Sequence, residues 1–204
     1  ADLTSITGYV DFKRQWGADT DGGPYRQTDF VERDKISQVS QELRLSGSTE
    51  ATDWIVGVFA SRDRVKMTYD GSLQDLFNTK LLTFTDQTAK SDAAFGNLEW
   101  RFAEDLSLVA GLRYTWEEKA NVGGDFDLVP NCPASFLSMV PCGAGPVTLA
   151  FIDTTIDDTN WSWKLGLNWK PDPLTLVYGS ISQGVKSGGF FSGVATTTAH
   201  LPPY

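Results

Sequence analysis

Seven stretches of the sequence alternate apolar and polar side chains with a period of two, and the connections between them alternate short and long. A period of two places one set of side chains on each face of a strand. The clearest case is 161–169, where Trp161, Trp163, Leu165, Leu167 and Trp169 oppose Ser162, Lys164, Gly166 and Asn168. Over 91–102, Leu98, Trp100 and Phe102 alternate with Asn97, Glu99 and Arg101, and Ala103, Glu104 and Asp105 then reverse the chain into 106–117. If Phe102 lies opposite Leu106, Trp100 meets Leu108 and Leu98 meets Ala110, so the apolar faces of both strands coincide.

Further strands are expected over 5–16, 36–45 and 54–64, and a seventh from 174 onward. A four-residue turn over 170–173 puts Trp169 opposite Leu174 and shares the apolar face among Leu174, Leu176 and Tyr178. It leaves Val177 and Ile181 on the polar side. Short turns at 46–53, 103–105 and 170–173 thus alternate with long loops at about 17–35, 65–90 and 119–158. Short turns on one side and long loops on the other characterise outer-membrane β-barrels, whereas a β-sandwich has less reason for strict alternation. The expected fold is all-β: the wall of an antiparallel transmembrane β-barrel, with about seven strands.

Composition agrees once the faces are separated. Mean hydropathy is -0.23 and no apolar run is long enough for a membrane helix, but alternating strands and polar loops give such averages in a barrel. Six tryptophans, Trp54, Trp100, Trp116, Trp161, Trp163 and Trp169, are assigned to membrane interfaces. Trp161 and Trp169 share a face about 27 Å apart along the strand, and a tilt near 40° projects this to roughly 20 Å, against an apolar band of approximately 25 Å. A net charge of -9 argues against a nucleic-acid partner, which demands a basic footprint.

The sequence offers little chemistry. One histidine, His200, and two cysteines cannot build a multi-ligand zinc site or a histidine-based triad, so no catalytic residue, cofactor or metal site is expected. Cys132 and Cys142 have a spacing unlike CxxC pairs; a local disulfide in an oxidising compartment is expected, with two free thiols as the alternative. Glu99, Glu117 and Glu118 could be offered as glycosidase carboxylates, or Ser180 and Ser182 as nucleophiles, but no histidine lies on a strand to act as base. Asp153, Asp157 and Asp158 lack an EF-hand pattern, and KSGGFF lacks P-loop spacing. The amino terminus has neither the basic nor the apolar region of a signal peptide, as expected of a processed chain or a fragment.

The segments QELRLSG (41–47), WIVGVFASR (54–62), AFGNLEWRFAEDLSLVAGLRYTWEEK (94–119) and LVYGSISQGVKSGGFF (176–191) resemble the barrel of TonB-dependent outer-membrane receptors. Tyr178, Gly184, Lys186, Ser187, Gly188, Gly189 and Phe190 carry the most specific match, and Gly-Leu-Arg-Tyr-Thr at 111–115 the second. The resemblance implies TonB-dependent uptake of a scarce nutrient across the bacterial outer membrane, most often a ferric siderophore. It implies as partners outer-membrane lipid and lipopolysaccharide, the remaining barrel and its plug, the small ligand, and the TonB complex acting through the plug. Under it, Gln38, Glu42, Arg44, Glu99, Arg101, Arg113 and Lys164 are candidate plug-facing residues, while the ligand contacts stay unassigned. Residues 1–204 depart from the family pattern in showing no plug domain and no closing aromatic strand, and seven strands fall short of the roughly 22 of such transporters. The chain is therefore expected to be an internal slice of a receptor barrel, with its ends on opposite sides of the membrane. A passive outer-membrane pore and a soluble, Trp-rich carbohydrate-binding sandwich are the alternatives.

Overall fold

The computed structural model describes residues 1–77, 79–128 and 146–204. Within them the chain forms β1 (Asp2–Asp19), β2 (Asp29–Ser48), β3 (Thr52–Leu73), β4 (Thr79–Arg101), β5 (Leu106–Asp127), β6 (Val147–Asp172) and β7 (Thr175–Gln183). A helical turn, α1 (Gln74–Phe77), follows β3, and a 3-10 turn spans Thr198–His200. The seven strands make one antiparallel sheet in chain order, with each strand beside its sequence neighbours. No second sheet packs on it among the described residues, so the sandwich alternative does not hold.

The register over β4 and β5 is the expected one: Trp100 lies opposite Leu108 and Leu98 opposite Ala110. Two expectations need correction. First, the strands are longer than their alternating segments, so the loops expected at 17–35, 65–90 and 119–158 shrink to the links 20–28, 74–78 and 128–146. Only about 9–11 residues of a tilted strand cross a bilayer, whereas β3 and β5 have 22 each and β6 has 26. Beyond the apolar band both faces meet polar surroundings. The alternation then disappears although the backbone ladder continues, as it does through Lys35, Asp34, Arg33 and Glu32 of β2.

Second, the last hairpin is tighter than expected. β6 continues to Asp172, which pairs with Thr175, and a register shift after Trp169 puts that tryptophan opposite Val177 rather than Leu174. Pro173 and Leu174 form the turn, where Asp172 Oδ1 accepts the Leu174 amide at 2.9 Å. An odd-numbered slip exchanges the two faces of a strand. Val177 and Ile181 therefore share the face of Trp169 and Leu165, and Tyr178 moves to the polar face opposite Asn168.

Burial distinguishes the two faces of the sheet. Apart from Gly124, the buried strand residues, among them Ser61, Thr83, Thr85, Ala93, Ser107, Asn121 and Asp125, fall on one set of alternating positions, the inner face. The other set, the outer face, carries exposed Leu43, Val58, Leu98, Leu112, Leu165 and Leu167. After β7 the chain folds back over the inner face. Lys119 Nζ donates to Ser187 Oγ at 2.6 Å and to the Gly188 carbonyl at 2.8 Å, while Asp125 Oδ2 accepts the Ala195 amide at 3.1 Å. Ala195 and Leu201 then bury against Ala150. The KSGG motif thus seats this return segment on the long-loop half of the wall.

Candidate functional site

The outer face holds all six tryptophans assigned to interfaces. Trp54, Trp100 and Trp169 stand near the short-turn ends, and Trp116 and Trp161 about eight residues further along their strands. Trp116, Trp161 and Trp169 remain 47%, 54% and 45% exposed despite their size. An indole at an apolar–aqueous boundary keeps its ring in the apolar layer and its N–H on a polar partner. Trp169 Nε1 donates to Asp105 Oδ2 at 2.8 Å and Trp163 Nε1 to Gln183 Oε1 at 3.0 Å. Tyr114 packs against both Trp116 and Trp161 with ring centroids 4.4 Å apart. Between the girdles, Gly96 and Ala110 leave an apolar groove of about 610 Å³ walled by Trp54, Val56, Leu112 and Trp163. It opens on the outer face.

The register places Gln38, Glu42, Arg44, Glu99, Arg101, Arg113 and Lys164 together on the inner face. They do not present themselves equally there. Arg101 bonds Asp53 and donates to the carbonyls of Thr49 and Glu50 at 2.8 and 3.0 Å, which clamps the β2–β3 turn against β4. Glu99 accepts from Ser107 Oγ at 2.6 Å, and Arg44 bonds Glu42. Arg113 is held differently, with its guanidinium over the rings of Phe59 and Phe95 at 5.4 and 5.8 Å from their centroids. Gly57 makes that arrangement fit, since a Cβ there would stand 2.5 Å from Phe95 Cζ.

Trp16, the seventh tryptophan, lies on the inner face near the long-loop end. Its ring meets Phe30 edge-on at 4.8 Å, and Phe30 stacks on Tyr69 at 5.3 Å. Phe30 lies opposite Gly71, over which the Tyr69 ring folds; a Cβ on Gly71 would lie 2.7 Å from Tyr69 Cε1. Arg14 flanks the ladder, 5.4 Å from the Trp16 centroid, and bridges Glu32 and Asp34. The departure of Trp16 from the face of the other six tryptophans was the available signal, but using it required the register.

The remaining candidate chemistry separates. Glu99 lies opposite Val109 and Glu117 opposite Ser91 on the same two strands, about 27 Å apart along them, against the roughly 5–9.5 Å of glycosidase carboxylates. Asp153 and Asp157 are on the outer face and Asp158 on the inner, so they do not converge. Cys132 and Cys142 lie outside the described residues.

An apolar band bounded by aromatic girdles on one face, and a lattice of charged and hydrogen-bonded side chains on the other, define the wall of a transmembrane β-barrel with a polar interior. The family described as TonB dependent receptor-like, beta-barrel matches residues 1–203, and the chain belongs to that family. The crystal structure of the ferric yersiniabactin uptake receptor FyuA from Yersinia pestis superposes with a TM-score of 0.72 at 16% identity, over 99% of this chain and 28% of that one. The chain therefore spans little more than a quarter of that receptor's length, and the likeness is one of fold. No curated protein matches the sequence.

Proposed function

We propose that these strands form part of the barrel wall and rim of a bacterial outer-membrane receptor for TonB-dependent uptake of a scarce nutrient, with a ferric siderophore as the ligand class. Membership of the receptor family supports the receptor assignment, and the two-faced wall is the observation that carries the membrane placement. Gln38, Glu42, Arg113 and Lys164 face a plug, Arg44 assists through its pair with Glu42, and Glu99 and Arg101 hold the wall and turn on which the plug rests. In the complete receptor, uptake of a radio-iron siderophore should saturate and should stop in cells lacking TonB. A passive pore would instead give TonB-independent, non-saturating flux.

The ladder of Trp16, Phe30 and Tyr69 with Arg14 beside it supplies the ligand contacts within this segment. Flat aromatic faces and a guanidinium suit an aromatic, anionic iron chelate. Trp16→Ala should weaken ligand binding about tenfold, close to 1.4 kcal/mol, and leave barrel assembly unchanged. Equilibrium binding to purified receptor tests this, and unchanged affinity would remove the ladder from the site. Arg113→Leu should act on the other partner by exposing the plug to faster proteolysis while ligand capture stays near wild type. Normal plug protection with lost ligand binding would reverse that assignment.

A further inference from the structure

The return segment after β7 meets the inner wall at two separate points. At the first, Lys119 donates to Ser187 and to the Gly188 carbonyl, and the Lys186 ammonium lies 5.4 Å from the centroid of the Tyr204 ring. Gly189 and Tyr204 exchange backbone hydrogen bonds of 3.0 and 3.1 Å there, so residues 189–204 leave and return at one place, as a compact Ω-loop does. Gly188 permits that closure, because a Cβ on it would lie 2.8 Å from the Tyr204 carbonyl oxygen. The far side of the loop reaches the wall six residues further along β5, about 20 Å away. Asp125 accepts the Ala195 amide at 3.1 Å, Thr198 Oγ1 accepts the Phe151 amide at 3.3 Å, and Ala195 and Leu201 bury against Ala150.

This second contact holds little apolar surface. Ala150, Ala195 and Leu201 make its core, with Ile152 beside them. The floor around them is polar: Thr83, Thr85, Asn121 and Asp125 are all buried, and Asn121 Oδ1 has no hydrogen-bond partner among the described residues. Groups of this kind regain water when uncovered, and regions with few buried apolar contacts open most readily. Asp125 is the group that uncovering changes most. It is 1% exposed, and burial raises its carboxyl above the usual carboxylate range, against the hydrogen bonds from Thr83 and Ala195. It stands nine residues past Trp116, about 30 Å along β5 from that girdle, and so lies outside the apolar band. Leu81, Thr83 and Thr85 of β4 surround it, with Ala150 and Ile152 of β6. Among the described residues the titratable groups on that side are Asp127 of its own strand and His200 of the loop.

We propose that residues 189–204 are a flap hinged at Lys119 and latched at Asp125, lying on the inner wall while that carboxyl is protonated and swinging off once it ionises. A protonated carboxyl keeps both bonds, its carbonyl oxygen accepting from Ala195 and its O–H turning to the Thr83 oxygen. An ionised one leaves a charge buried unless water reaches it. Lifting the flap returns the group toward the ordinary value of about 3.9, so the seated form holds the proton more tightly. Seating is therefore favoured in full below about pH 4, and this contribution is lost as the pH rises through the raised value. The flap belongs to the fold rather than to what crosses the barrel, and failed siderophore uptake would leave it standing.

Distances between two nitroxide labels in the complete receptor, held in lipid vesicles with its native cysteines replaced by serine, test this. Thr196→Cys, exposed on the flap, is paired with Lys80→Cys, exposed on β4. Between about pH 4 and pH 8 a short, narrow distance should give way to a longer, broader one, the seated-to-lifted ratio falling by up to about tenfold per pH unit. Val185→Cys, which precedes the hinge, should keep one distance to the same wall label throughout. Asp125→Asn carries no charge, accepts from Ala195 and donates to Thr83, so its flap should stay seated over the whole range. His200→Asn should keep the wild-type response. One unchanged Thr196 distance from end to end of the range overturns the proposal, whether or not the Asp125 variant assembles. So does an undiminished response in Asp125→Asn, its loss in His200→Asn, or a Val185 distance that moves together with that of Thr196.

Discussion

Produced by itself in detergent, the 204-residue chain is expected to yield no heat-modifiable, protease-resistant monomer. Among the described residues the sheet has two open edges, because β1 pairs only with β2 and β7 only with β6. About half of the backbone N–H and C=O groups on each edge point away from the sheet. Over the roughly ten residues that cross a bilayer, the two edges together expose on the order of twenty such groups. Each costs several kcal/mol in an apolar medium, and the sum far exceeds the roughly 5–15 kcal/mol by which a folded domain is stable. Satisfying them takes further strands, from the rest of a barrel or from another chain. Co-expression with the remaining strands of the receptor should restore a folded barrel. A shift in gel mobility on heating, shown by residues 1–204 alone as a protease-resistant monomer, would sink this expectation.

How much of this was legible in the sequence depended on where each strand lies relative to the apolar band. Inside it, water-averse and water-loving residues alternate because their surroundings do. Leu98, Trp100, Leu108 and Ala110 therefore fix their own register, and the structure reproduces it. The last hairpin shows how narrow that legibility is. Pro171 and Pro173 suggested a four-residue turn, but the ladder runs through to Asp172 and Thr175 with a shift, and that slip carries Val177 and Ile181 to the apolar face. Their apolar character was the sign that the assumed register was wrong. Beyond the band the signal ends, and residues 65–73, 79–90 and 147–158 are paired strands that read as loops.

The functional surfaces fall on both sides of that divide. Alternation alone was enough to put the seven plug-facing candidates on one face. It could not show that Arg101 is committed to the β2–β3 turn, whereas Arg113 rides on Phe59 and Phe95. Trp16, Phe30 and Tyr69 are separated by 14 and 39 positions in sequence and meet only through cross-strand pairing.

Replacing Leu165 with arginine should lower the folding equilibrium of the receptor roughly 100-fold. Leu165 lies midway between Trp161 and Trp169, on the outer face, opposite Ala110 and Ile181, and is 47% exposed on the wall. A cationic side chain at the midplane of a transmembrane barrel costs about 2–4 kcal/mol, and at this position it has the greatest distance to either interface. Its neighbour provides the control. Lys164 projects to the inner face opposite Gly111 and Ser182, so Lys164→Leu removes a charge from the polar interior without placing one in lipid. A cost of about 3 kcal/mol lowers a folding equilibrium roughly 100-fold, whereas the Lys164 variant should fold nearly as well as the wild type. Urea midpoints in lipid vesicles, with the heat-modifiable fraction recovered from outer membranes, measure both effects. If Leu165→Arg folds like the wild type and Lys164→Leu does not, the two faces have been assigned the wrong way round, and the plug-facing residues would exchange sides with them.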